Sequence, residues 1–129
     1  MKRLFCFLFA TIMLFSLSSC SSRRIKIDYG ESELYTIEER ETVANMIIEY
    51  FEAEDNELID LKFAGDSICS KRLEDYIKKD NKEYEGCIVF LAHYSTPEAI
   101  KYFNQPETTT YRYYVKEPGG EWYLRDFGW

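Results

Sequence analysis

His93 is the chain's single histidine, and so the one side chain whose unperturbed pKa lies near neutrality. It sits in the run YEGCIVFLAHYS, residues 84–95, on the parity of Cys87, Val89 and Leu91. From there it could take up a proton as a general base, with Asp126 or Glu85 as the accompanying acid, the pair a small isomerase or dehydratase needs. A histidine near a strand end can equally make a local hydrogen bond, and no partner motif decides between the two. Asp126 would be costly to bury alone, and Arg112 on a neighbouring strand is its candidate partner. Cys69 and Cys87 either close a disulfide loop of about 18 residues, worth roughly 3 kcal/mol, or fill core positions as thiols. No second cysteine pair or histidine stands at ligand spacing, so a zinc site or other metal centre is not expected. GxSxG, HExxH, P-loop and paired-glycine fingerprints are missing too, and no cofactor is implied.

Aromatic side chains are the richer signal. Tyr102, Phe103, Tyr111, Tyr113, Tyr114, Trp122, Tyr123, Phe127 and Trp129 crowd into the end of the chain. Strand alternation sends some to each face of a sheet. Tyr111, Tyr113, Tyr114 and Tyr123 are therefore candidates for an exposed binding surface, because tyrosine offers large contact area and a polar tip. The alternative packs one set under a helix and shields the other with the segment from Pro97 to Glu107.

The elements that must position these residues follow from periodicity. Thr36-Ile37-Glu38-Glu39 spells a capping box. Behind it Val43, Ile47, Tyr50 and Phe51, joined by Met46, form one apolar stripe on a helix ending near Asp55-Asn56. Leu58 to Phe63 alternates with Ile59, Leu61 and Phe63 inward, the pattern of a half-buried strand. Ser70 to Asn81 reads as a short second helix with Leu73, Tyr76 and Ile77 inward. Residues 84–95 are apolar on both parities, which marks a central strand. Pro97 opens a brief helical turn to Phe103. Strands from Thr109 to Glu117 and Glu121 to Phe127 flank a Pro118-Gly119-Gly120 hairpin turn. The expected fold is α+β, a first helix packed on a curved, mostly antiparallel four-stranded sheet.

The chain opens with Met1-Lys2-Arg3, an apolar block from Leu4 to Leu17, and Ser18-Ser19: the head, middle and exit of a secretory signal peptide. The block is short for a spanning helix, which needs roughly 20 apolar residues, and a permanent transmembrane helix is the runner-up reading. Leu17-Ser18-Ser19-Cys20 resembles the lipobox of bacterial lipoproteins, in which the cysteine receives a diacylglyceryl group and becomes the first residue. Residues 1–19 are then the leader, 20–34 a flexible tether, and 35–129 one domain. Several acyl chains on Cys20, palmitate-like in length, anchor stably where one chain would not. The expected address is the outer face of the cell membrane.

The 129 residues carry 16 Lys plus Arg against 23 Asp plus Glu, net −7. Loss of Lys2 and Arg3 makes the remainder more acidic still. Such a domain repels phosphate backbones, so nucleic acid is not an expected partner. Arg23, Arg24 and Lys26 lie beside the lipid and could meet anionic headgroups.

The ending GGEWYLRDFGW, residues 119–129, is similar to the closing strand of cystatin-like and NTF2-like (nuclear-transport-factor-like) domains. With IEERETVANMIIEYF, LIDLKFAGD and CIVFLAHY, the chain resembles a family of Gram-positive lipoproteins that carry a cystatin-like domain of unknown function. The resemblance spans about Thr36 to Trp129 and implies a fold and an address, with no catalytic residues to carry over. Three functions remain in view. The first is a lipid-tethered, non-catalytic domain binding a peptide, protein or envelope component. The second is a small acid/base enzyme or ligand pocket using His93, and the third an acidic immunity or inhibitor protein with a basic partner.

Overall fold

A computed structural model describes residues 25–128 apart from 55, 105 and 106. The leader and Cys20 lie outside the described residues. Five strands and three helices follow in the order β1 (Lys26–Asp28), α1 (Ile37–Ala53), β2 (Glu57–Phe63), α2 (Asp66–Asp80), β3 (Gly86–Ser95), α3 (Pro97–Phe103), β4 (Thr108–Lys116) and β5 (Trp122–Gly128). They form one α+β unit. None of these helices is long and apolar enough to cross a membrane.

The strands stand in sequence order across a single five-stranded sheet. β1 runs parallel to β2, while β2–β3, β3–β4 and β4–β5 are antiparallel. The expected four-stranded sheet therefore gains a fifth strand. β1 is short because Ile25 and Ile27 alternate with charged neighbours over too few residues to give a recognisable period.

Its docking explains why the segment taken for a tether is largely part of the domain. Arg40, buried on α1, donates from Nη1 to the carbonyls of Tyr29 (2.7 Å) and Gly30 (2.8 Å). Gly30 turns there at φ 58°, a left-handed conformation that favours glycine, and an added Cβ would lie 3.3 Å from the Phe63 ring. A few residues on, Ser32 donates its hydroxyl to Asp66 Oδ1, and the Glu33 amide donates to Oδ2 at 2.8 Å. A carboxylate at the start of α2 thus fastens the chain that leads into α1.

α1 begins as its capping box requires. Thr36 Oγ1 accepts from the Glu39 amide, and Glu39 Oε1 accepts from the Thr36 amide, both at 3.1 Å. Arg40, Val43, Ala44, Ile47 and Phe51 form its buried stripe. It covers one face of the sheet, with the Phe51 ring 4.7 Å from that of Tyr94.

α2 covers the other face. It starts four residues earlier than the sequence pattern suggests, so Cys69 and Tyr76 turn inward and Ile77 stays exposed. Tyr76 meets Tyr113 edge-on at 6.2 Å, and Arg72 lies over the same ring. Its far end is locked by Asp80, which accepts from Arg125 Nε (2.7 Å) and Nη2 (2.6 Å) and from the Tyr84 hydroxyl (2.6 Å). The Arg125 fork and the Tyr84 hydroxyl hold that carboxyl far below the usual carboxylate range.

β3 fills the centre, with Cys87, Ile88, Val89, Phe90 and Ala92 fully enclosed. In β2 a bulge between Leu58 and Asp60 shifts the parity, so Leu58 joins Leu61 and Phe63 in the core and Ile59 drops to half-buried. Asp60 itself keeps its alternation with Leu61, on the face that carries His93.

Candidate functional site

His93 and its surroundings come first, because their geometry departs most from expectation. Asp60 stands directly opposite His93 in the β2–β3 register. Its Oδ2 lies 2.8 Å from Nδ1, while Glu107 Oε2, from the segment entering β4, lies 2.7 Å from Nε2. Ionised carboxylates only accept hydrogen bonds, so both contacts require two ring N–H groups and hence the imidazolium. Asp60 above all raises the His93 pKa above its ordinary value; desolvation, next in size, opposes it, and Glu107 adds to the rise. The ring is a held cation, without the free lone pair that a general base needs.

The acids expected beside His93 are elsewhere. Asp126 is exposed, lies opposite Tyr113 in register, and accepts from the Phe127 amide at 2.9 Å. Glu85 precedes the other end of β3 and pairs with Lys116 at 3.6 Å. Asp60 and Glu107 escape a reading of the sequence because only the pairing register of β3 with its two neighbours brings them to the ring. Among the described residues no group of three or more His, Cys, Asp or Glu is arranged to hold a metal ion.

Arg112 does not pair with Asp126 either. It lies opposite Phe127 on the α1 face of β4, which points the other way from Asp126. There its guanidinium is buried among the rings of Tyr50 (4.4 Å), Phe51 (4.8 Å) and Phe127 (4.8 Å). The aromatic faces supply the negative potential that a carboxylate was expected to provide. Among the described residues Nε and Nη1 have no hydrogen-bond partner.

The tyrosine patch dissolves on the same ground. Tyr113 and Tyr114 are only 6% and 2% exposed. Each face of β4 has its own helix, so alternation carries Tyr113 under α2 and Tyr114 under α1. Tyr111 stacks on Tyr113 at 6.1 Å and is half-buried. Tyr123 is half-buried too and donates its hydroxyl to Glu117 at 3.2 Å. The four rings form no continuous exposed surface.

Cys69 and Cys87 are free thiols, both fully buried. The disulfide reading gives way to the core reading: one thiol projects from α2 and the other from β3 into the same apolar layer. Burial pushes Cys69 up to about 11 and Cys87 up to about 12, which leaves them unreactive as nucleophiles.

A concave surface does exist, on the α1 side of the sheet. An open groove of about 680 Å³ lies between the last turn of α1, the start of β2 and the β3–α3 junction. Ile25, Ile48, Phe51, Leu58, Pro97 and Ile100 give it an apolar lining, and Glu52 and Asn56 stand among them. Its volume is within the roughly 300–1,000 Å³ of ordinary ligand sites. His93 does not line it, since His93 and Tyr94 point to opposite faces.

Fold and site together define an α+β domain with an open apolar groove and a surface carboxylate–histidine–carboxylate bridge. Comparison of the chain with protein-family models gives no match, and comparisons with curated proteins and with solved structures give none.

Proposed function

We propose that this protein is a non-catalytic domain held on the outer face of a bacterial membrane, in a Gram-positive type of envelope, by a lipid on Cys20, and that it binds a peptide, protein or envelope component. The groove is the single observation that carries the binding reading: it is the concave apolar surface that the buried tyrosines fail to supply. The His93 bridge supports the non-catalytic part. A general base needs an accepting nitrogen, and both ring nitrogens face carboxylates. No observation favours the acid/base or the immunity reading over this one.

The finer fold assignment, cystatin-like or NTF2-like, belongs to the same proposal. It is supported by the closing strand Trp122–Gly128 and by the long capped helix α1 laid across an antiparallel sheet. The second helix on the opposite face, and the parallel edge strand, are additions to that frame.

The test places a photo-cross-linking residue at Ile48, in the groove, or at Glu121, beside the distal hairpin, in the full chain on its own cells. A discrete peptide, protein or envelope adduct from position 48 and none from 121 is the expected result. Equal or absent adducts at the two positions would overturn the groove as the binding surface. The mass of the N-terminal peptide reports separately whether Cys20 carries lipid.

A further inference from the structure

The docking of β1 changes how far the lipid can lie from the domain. Lys26, Ile27 and Asp28 are paired to Asp60, Leu61 and Lys62, and Ile25, one residue earlier, already lines the groove. From Cys20 to Ile25 there are five Cα–Cα steps, at most about 17 Å when fully extended. This is a short leash. Whatever Cys20 is inserted in must lie within that reach of the groove.

α3 shares that end of the molecule, because Pro97 and Ile100 line the same groove as Ile25. It exposes two large side chains that leave the helix on different sides, Ile100 at the groove and Tyr102 away from it. Ile100 is 54% exposed and Tyr102 69% exposed, with Lys101 Nζ over the Tyr102 ring at 5.3 Å. An aliphatic side chain, an amphipathic ring and a lysine on one short helix are the side chains that settle at a membrane interface. Exposed Lys26 and Lys101 can meet anionic headgroups, while Glu52, Glu54, Glu57 and Glu98 at the same end oppose them.

We propose that the end of the domain formed by Ile25 and α3 lies against the outer face of the bilayer, with Tyr102 entering the headgroup region. The inference rests on lipidation of Cys20 and adds an orientation to it. β3 runs from Gly86, at the hairpin end, to Ser95, at the groove end, a rise of about 30 Å. The Pro118-Gly119-Gly120 turn therefore points away from the membrane.

The experiment uses the full chain, produced with its leader, carrying Tyr102→Cys or Glu121→Cys. Both positions are exposed, and Cys69 and Cys87 are buried, so a thiol-reactive fluorophore labels the introduced cysteine. The labelled protein is reconstituted in phosphatidylglycerol/phosphatidylethanolamine vesicles containing nitroxide lipid, and Cys20 is checked by mass. Quenching several-fold stronger at 102 than at 121 is expected. Lipidated protein with equal quenching at the two sites, or stronger quenching at 121, overturns the orientation and leaves the anchor standing. A Cys20 without lipid overturns the anchor, and this inference with it.

Discussion

At the scale of the residue, His93 shows how far a side chain's chemistry depends on what the fold sets beside it. A lone histidine on a strand suggests a base. Two carboxylates at 2.8 and 2.7 Å turn it into a cation that ties β2, β3 and the entry to β4 together. Its pKa is raised in the folded chain, so the bridge contributes fully below the unfolded value of about 6.5 and is lost as pH rises through the folded one. Above that point the neutral ring keeps one N–H for two acceptors, and one contact fails. The thermal midpoint of His93→Gln should fall below that of the parent by an amount equivalent to about 1 kcal/mol near pH 6, as partly exposed pairs allow. The difference should narrow as the pH rises past neutrality; a gap that is flat with pH would exclude the bridging role.

The elements carry a different lesson, about where the domain begins. The stretch Ser21 to Leu34 looks like a linker because it is polar and lacks a sustained period. Arg40 and Asp66, on two different helices, reach out and fix its second half by ligating backbone and hydroxyl groups. Those partners are remote in sequence, so nothing local announces them. Replacing Arg40 with Met removes its two charge-assisted hydrogen bonds to the Tyr29 and Gly30 carbonyls, each worth about 1.5–3 kcal/mol, along with a longer one to Thr36 within α1's first turn. Amide exchange over Lys26–Gly30 should then accelerate by about tenfold or more while the amides of α1 keep their protection. Unchanged exchange in β1 would mean that the strand is held by its pairing to β2 alone.

For the whole molecule, the decisive feature is a sheet covered on both faces. That arrangement moves the tyrosines of β4 from a binding surface into two separate cores. Tyr113→Ala should destabilise the protein by about 3 kcal/mol in urea unfolding, as removal of a buried aromatic ring does. Tyr123→Ala, at a half-buried site, should cost about 1 kcal/mol or less. Near-neutral behaviour of Tyr113→Ala would return the hairpin to the list of exposed surfaces. The same two-sided covering leaves the groove at the β3–α3 end as the concave apolar opening, next to the point where the chain leaves for Cys20.

The sequence by itself determined the α+β class, the capped first helix, the central strand, the proline-led α3 and the closing hairpin. Each of these is written in neighbouring residues: a capping box, a 3.6-residue stripe, a run apolar on both parities, a proline at a helix start, a Pro-Gly-Gly turn. Tertiary structure alone decided the rest. The side of the sheet that α2 covers, the pairing of β1, the register that sets Asp60 opposite His93 and the aromatic cage around Arg112 all join residues far apart in the chain. The physical reason is that local pattern fixes which face of an element is apolar, whereas register and packing fix what that face meets.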